Sequence, residues 1–271
     1  MIGMGPCSVA LDLFSRLPSA EDDASWARLD RFCKRLTMFP FRFPSVLCIP
    51  MVDKANTLYN LGQMAPENAT GAIYQYGSVT YSGSPPVLGD FSSTNYLGVP
   101  TFSLGSFVLE GAFFAYVHSF GTTDSAIYMG STGASGASDA RPTYIHIGNH
   151  AAGDSVQYAF NNYNTDVVAV TGTGPGLVMI EKKSGGQAYV SCPDVLKANV
   201  PASYSYAKFG STHIGGSRVF ETGANLRPFD GGGTITAFGA IDMSSYDVGV
   251  TDAIKIMVDE YLIDMGYTLS Y

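Results

Sequence analysis

The feature that most constrains this chain is a long series of short apolar, β-branched and aromatic runs, each cut off by Gly, Pro, Asn or Asp, from about residue 71 onward. Runs this short do not make amphipathic helices. Their close spacing also leaves no room for the crossover helices that a parallel sheet requires. Leu109 to Ser119 (LEGAFFAYVHS) reads as a central strand. Strands are expected to follow at 125–130, 142–148, 155–160 and 166–171, then at 176–182 and 187–192 around a Ser184-Gly185-Gly186 hairpin turn, and finally at 208–214, 217–220 and 234–239. The fold class this implies is all-β, an antiparallel two-sheet β-sandwich or jelly roll.

Two helical segments flank the series. Ser19 can cap a helix whose first turn carries Glu21, Asp22 and Asp23, where carboxylates suit the positive end of the dipole. Trp26, Leu29, Cys33 and Leu36 follow at helical spacing, Arg28, Arg31, Lys34 and Arg35 occupy the other faces, and Pro40 and Pro44 stop the helix. Such a basic amphipathic helix either docks on a partner or packs on the neighbouring sandwich, and packing is the favoured reading. From Val248 to Asp264 a second helix is expected, with Ile254, Met257, Val258, Tyr261 and Leu262 on one apolar face and Gly266 as its stop. The expected division is a helical lead-in or docking segment over 1–45 and a sandwich with a closing helix over 46–271. The stretch Gly130 to Ala140 (GSTGASGASDA) reads as an exposed loop.

Composition narrows the function. The formal net charge of -8 does not supply the Lys/Arg footprint that nucleic acid needs, so no nucleic-acid partner is expected. No apolar run approaches bilayer length, so no membrane insertion is expected. The first residues, MIGMGPCSVALDLFSRL, lack a basic leader and a cleavage site, so they do not read as a secretory signal. Cys7, Cys33, Cys48 and Cys192 are scattered and form no CxxC pair, which makes reduced thiols the default.

The search for catalytic chemistry is negative. The loop Gly133-Ala-Ser135-Gly136 is one residue too short for a nucleophile elbow. Gly172-Thr-Gly-Pro-Gly176 is followed by no Lys-Ser or Lys-Thr and reads as a turn. Paired carboxylates at alternate positions of one strand, the arrangement expected for a sugar-cleaving groove, are absent: Glu110, Asp124 and Asp166 sit at strand edges and Glu181 precedes Lys182 and Lys183. The expectation is that the chain is not an enzyme. Of the four histidines, His118, His146, His150 and His213, the pair in HIGNH is four apart, but Gly148 and Asn149 make the segment strand and turn, so no metal site and no cofactor are expected.

What remains is a distributed set of aromatic and amide side chains in and beside the expected loops. Flat aromatic rings meet the C–H faces of sugars, and amides and carboxylates meet their hydroxyls. The candidate glycan-binding residues are Tyr128, Tyr144, His146, Asn149, Asp154, Tyr158, Asn161, Asn162 and Tyr163. For any one of them, strand packing or turn formation is the blander account. Tyr204, Tyr206 and Phe209 fit core or protomer interface equally well.

Three stretches carry a family resemblance. Trp26-Ala-Arg-Leu-Asp30 with Leu58-Tyr-Asn-Leu61, then Gly176 to Lys183 with FGSTHIGG from Phe209, then Ile235 to Gly239 and the helix to Gly266 together resemble a concanavalin-like, laminin-G-like module of bacteriophage and prophage structural proteins, over residues 20 to 268. The resemblance implies a virion structural protein of head or tail fibre or spike type. Its partners would be other virion proteins and further copies of itself, it would be made in the host cytoplasm and released by lysis, and a host cell-surface polysaccharide would be its ligand. The chain lacks the acidic cluster with which some relatives bind calcium. The rival readings are a capsid or tail decoration protein that binds no glycan, and a polysaccharide-degrading enzyme on the same frame.

Overall fold

In the computed structural model the residues described are 23–37, 46–51, 53–58, 73–92, 94–99, 111–120, 130–133, 144–150, 153–159, 167–170, 176–182, 188–192, 195–200, 209–215, 232–242 and 250–269. The described chain is mostly β with few helices. It runs α1 (Asp23–Thr37), β1 (Val46–Cys48), α2 (Lys54–Thr57), β2 (Tyr74–Tyr76), β3 (Thr80–Gly83), β4 (Pro86–Gly89), β5 (Tyr96–Val99) and β6 (Gly111–Phe120). Then come β7 (Gly130–Gly133), β8 (Tyr144–His150), β9 (Gly153–Ala159), β10 (Val167–Val170), β11 (Gly176–Lys182), β12 (Ala188–Cys192), β13 (Val195–Val200), β14 (Phe209–Ile214), β15 (Gly233–Asp242) and α3 (Val250–Asp264). No described helix is long and apolar enough to cross a membrane.

Every described strand pairing is antiparallel. The strands form an eight-stranded sheet in the order β13-β12-β11-β6-β15-β4-β3 with β1 also on β15, a four-stranded sheet β2-β5-β14-β7, and a three-stranded sheet β10-β9-β8. The expected hairpin around Ser184 is present as the β11–β12 pair, Lys182 facing Ala188. Gly130–Gly133, which the sequence places in an exposed loop, pairs instead with β14. A ladder is built from backbone groups, so small residues can supply it without a packing side chain.

β15 is the axis of the large sheet. Along one edge it pairs with β6 from Gly233 to Asp242, and its other edge is shared by β4, at Ile235 opposite Leu88, and β1, at Phe238 to Ala240. Two register shifts interrupt the β6–β15 ladder around Ile235, leaving His118 on one strand and Thr236 on the other without a direct opposite. Bulges of this kind sharpen local twist. Gly239 is required by close approach: a Cβ there would lie 2.6 Å from Phe114 Cζ and 2.8 Å from the Val46 carbonyl oxygen.

Strand alternation puts Ala112, Phe114, Tyr116, Leu177, Met179, Ala237 and Ile241 on one face, where they join Leu29 and Phe32 of α1 and Ile254, Met257, Val258, Tyr261 and Leu262 of α3 in a single core. The opposite face carries Val46, Cys48, Ala115, Val117, Val178, Phe238 and Ala240, all buried as well. The helices therefore cap one side of a sheet that is buried on both.

The α1 helix packs on α3, and three of its basic residues turn toward that helix. Arg35 pairs with Glu260, Arg31 with Asp264 at 3.7 Å, and the Arg28 guanidinium donates to Met265 Sδ at 3.4 Å. The closing helix ends as expected at Gly266, whose φ of 91° lies in the left-handed region. The Tyr267 amide donates to the Leu262 carbonyl (3.0 Å) and the Gly266 amide to that of Ile263 (2.9 Å), a Schellman cap whose Tyr267 and Leu262 both enter the core.

Candidate functional site

The expected glycan-binding residues fall into two groups. Tyr128, Asn161, Asn162 and Tyr163 lie outside the described residues. Tyr144, His146 and Asn149 lie on β8, and Asp154 and Tyr158 on β9. The expectation placed these five in and beside loops. Tyr144, His146 and Tyr158 stand in strands where strands were expected, at 142–148 and 155–160, and β8 and β9 extend far enough to include Asn149 and Asp154 as well. The antiparallel register sets Asn149 opposite Asp154, His146 opposite Gln157, Tyr144 opposite Ala159 and Tyr158 opposite Ile145. Alternation puts Asn149, Asp154 and Tyr158 on one face of the paired strands and Tyr144 and His146 on the other, with Asn149 and Asp154 as opposite partners. His146 and His150 belong to this strand rather than a helix, so their spacing of four does not bring them to one helical face. Among the described residues no group of three or more His, Cys, Asp or Glu is placed to hold a metal ion.

The sequence did not point to a second polar and aromatic surface, at β2. This strand is an edge of the four-stranded sheet among the described residues, and Tyr74, Gln75 and Tyr76 are all exposed, the two tyrosines at 48% and 37%. Tyr76 stands opposite Tyr96 of β5 and stacks on it, with ring centroids 4.5 Å apart and planes 16° from parallel, while Tyr96 itself is buried. Tyr74 stands opposite Gly98, where a Cβ would come within 2.9 Å of Tyr76 Cε2. The glycine therefore leaves the space into which the Tyr76 ring leans. Beside the strand end, Asn95 accepts from the Ser78 amide through Oδ1 (3.0 Å) and donates to the Asp90 carbonyl through Nδ2 (3.1 Å). The one available signal was the alternation Tyr-Gln-Tyr followed by Gly77, which in sequence resembles any half-buried strand.

Buried chemistry lies elsewhere, on the two faces of the large sheet. The Tyr116 hydroxyl donates to the Asp259 carboxylate, which also pairs with Lys255 Nζ at 2.7 Å. Glu181 is fully buried and shares its strand face with Leu177 and Met179 of the same core. The Cys48 thiol, buried and donating to the Thr57 carbonyl at 3.1 Å, is pushed far up by burial. Burial likewise raises Tyr81 and Tyr267, with the neighbouring Tyr81 adding to the shift of Tyr267.

No protein-family model and no curated protein matches the chain. Among solved structures, a mutant GH54 α-L-arabinofuranosidase soaked with 4-nitrophenyl α-L-arabinofuranoside is similar over 74% of this chain and 46% of its own, at 13% identity and a TM-score of 0.41. The match thus spans about half the length of that protein. The expectation that the chain is not an enzyme is corrected by this finding, since a glycosidase stands among its structural neighbours. The ground for that expectation was also too narrow. It sought carboxylate pairs along single strands, whereas buried Glu181 and Asp259 reach the same core from a strand and a helix. At this TM-score the neighbour assigns neither a reaction nor a residue.

Proposed function

We propose that the chain is a structural and recognition protein of a phage-like particle that binds a host cell-surface glycan through the β8–β9 hairpin. In this reading the eight-stranded sheet is one layer of a concanavalin-like sandwich and the two smaller sheets together make the other. The approach of β8 to both β7 and β11, and of β10 to β13, supports that layering. The observation that carries the function is the register of the hairpin, which places Asn149 opposite Asp154 with Tyr158 on the same strand face, while Tyr144 and His146 belong to the other face. An amide beside a carboxylate offers donors and acceptors together, the pairing that vicinal sugar hydroxyls need. Display in several copies would then turn weak single contacts into firm attachment.

The test is a printed glycan array probed with the whole chain and with the Asn149→Ala/Asp154→Ala double variant. The expected result is selective retention of particular glycans by the parent chain and its loss in the variant. Equal retention by both overturns the hairpin as the site. Chromatography of each retained polysaccharide after incubation adds a second readout, and shortened products would move the reading to an enzyme on this frame.

A further inference from the structure

We infer that Tyr74 and Tyr76 form a separate carbohydrate-binding surface on the β2 edge, suited to a neutral pyranose chain lying along the strand. It goes beyond the hairpin reading and does not depend on it. Four observations meet here.

Two large aromatic side chains keep 48% and 37% of their surface exposed on a strand whose partner tyrosine is buried. Positions i and i+2 of a strand share a face and stand about 6.8 Å apart, so successive sugar units could each meet a ring. The negative face of an aromatic ring attracts polarised C–H edges, and one face of a pyranose is lined with such edges.

The surface is also pre-set. Stacking on Tyr96 fixes the Tyr76 ring, and Gly98 beneath it removes the side chain that would push the ring away. A ligand therefore meets a ring whose rotamer freedom is already spent, which lowers the entropy cost of binding.

Polar groups flank the rings. Exposed Gln75 and Ser78 stand on the strand and just past its end, and the turn at 92–95 is held rigid by the Asn95 contacts and by Ser92 Oγ, which accepts from the Asn95 amide at 3.1 Å. Hydroxyl and amide groups suit the equatorial hydroxyls at a sugar's rim.

Finally, charge selects the class of polymer. A chain of net charge -8 with exposed Asp90 beside this turn repels anionic polysaccharides and leaves neutral ones.

The experiment uses the full chain and three neutral oligosaccharides, cellohexaose, xylohexaose and mannohexaose, read by saturation-transfer NMR and calorimetry. Sedimentation velocity is run on the same samples. Binding of at least one probe is expected, with saturation transferred to ring C–H protons of the sugar. Tyr74→Ala should weaken it about tenfold, the loss of one aromatic contact in free-energy terms. Tyr76→Phe, which keeps the stacked ring, should retain most of it. The same titrations with Asn149→Ala/Asp154→Ala separate the two surfaces: a loss in Tyr74→Ala assigns the probe to the β2 edge, whereas a loss in the hairpin variant with none in Tyr74→Ala assigns it to the hairpin and overturns this inference. The inference is overturned if no probe binds, if Tyr74→Ala binds as well as the parent, or if Tyr74→Ala only abolishes self-association, which would make the edge a contact between copies.

Discussion

Tyrosine is used in opposite ways on the two sides of this molecule. In the layer between the large sheet and its helices, Tyr116, Tyr261 and Tyr267 are buried, and each hydroxyl has a definite acceptor: the Asp259 carboxylate, the Pro50 carbonyl at 2.7 Å and the Pro86 carbonyl. On the β2 edge, Tyr74 and Tyr76 leave much of their rings in water. A phenol taken out of water needs a partner for its hydroxyl, or the burial of its ring is offset by the desolvated oxygen. The sealed layer satisfies that demand three times. The edge avoids it, and its aromatic surface stays available to a ligand.

The sharpest way to break this contrast is to truncate one side chain on each side. Phe114 is 3% exposed in the layer between sheet and helices, and Phe114→Ala is expected to cost about 3–5 kcal/mol of stability. Tyr74→Ala should stay within about 0.5 kcal/mol of the parent in the same urea titration, the usual range for an exposed site. Comparable losses from both would mean that the edge is structural.

Gly239→Ala comes next. Its Cβ must displace the Phe114 ring while the Val46 carbonyl blocks the other direction, so a loss of about 1–3 kcal/mol is expected, read as a lowered urea midpoint at unchanged slope. A neutral result would show that the β1–β15 pairing has slack.

Alkaline pH probes the buried groups of the large sheet without mutation. Cys48, Tyr81 and Tyr267 all hold their protons more tightly in the folded protein than in the unfolded chain. Their contribution is intact below the unfolded values and is lost as pH rises above them toward the folded ones. Stability should therefore fall from about pH 8.5 upward, by about 1.4 kcal/mol per pH unit for the fully buried thiol, with smaller additions from the tyrosines above about pH 10. Cys48→Ala should remove the first part of that slope. A flat profile between pH 8 and 10 in the parent chain would contradict the burial of the thiol.

The smallest effect belongs to the α1–α3 ion pairs. Arg35 and Glu260 are both substantially exposed, and Arg35→Ala is expected to cost less than about 1 kcal/mol and to lose that effect in high salt.

Much of the frame was legible because its long strands announce themselves. LEGAFFAYVHS carries the aromatic and β-branched signature of β6, Ser184-Gly185-Gly186 marks the β11–β12 turn, and the apolar spacing to Gly266 gives α3 with its cap. The short strands between residues 46 and 99 span three or four residues each, too few for alternation to emerge. β13 escaped notice because Lys197 and Asn199 interrupt its apolar pattern. On α1 the expected apolar face caught Leu29 but passed over Phe32, and the partners of its arginines could not be named because they lie more than 200 residues away. The candidate site was legible only as residue chemistry. Residue chemistry picked out the hairpin's Tyr, Asn, Asp and His, but only pairing could show Asn149 opposite Asp154, and only exposure could single out Tyr74 and Tyr76 from the other tyrosines.

The position of β15 sets when the molecule can become itself. The strand on which β1, β4 and β6 all converge is assembled from residues 233–242, so until it emerges from the ribosome β1 lacks its described partner and β4 and β6, paired with β3 and β11, each keep one edge open. Pairings that reach so far along a polymer are slow to nucleate and cooperative once begun. Until then, a growing polypeptide must carry Ala112 to Val117 as an unsheltered greasy strand with one flank unsatisfied. This is the interval in which such a protein is most exposed to clumping with its siblings.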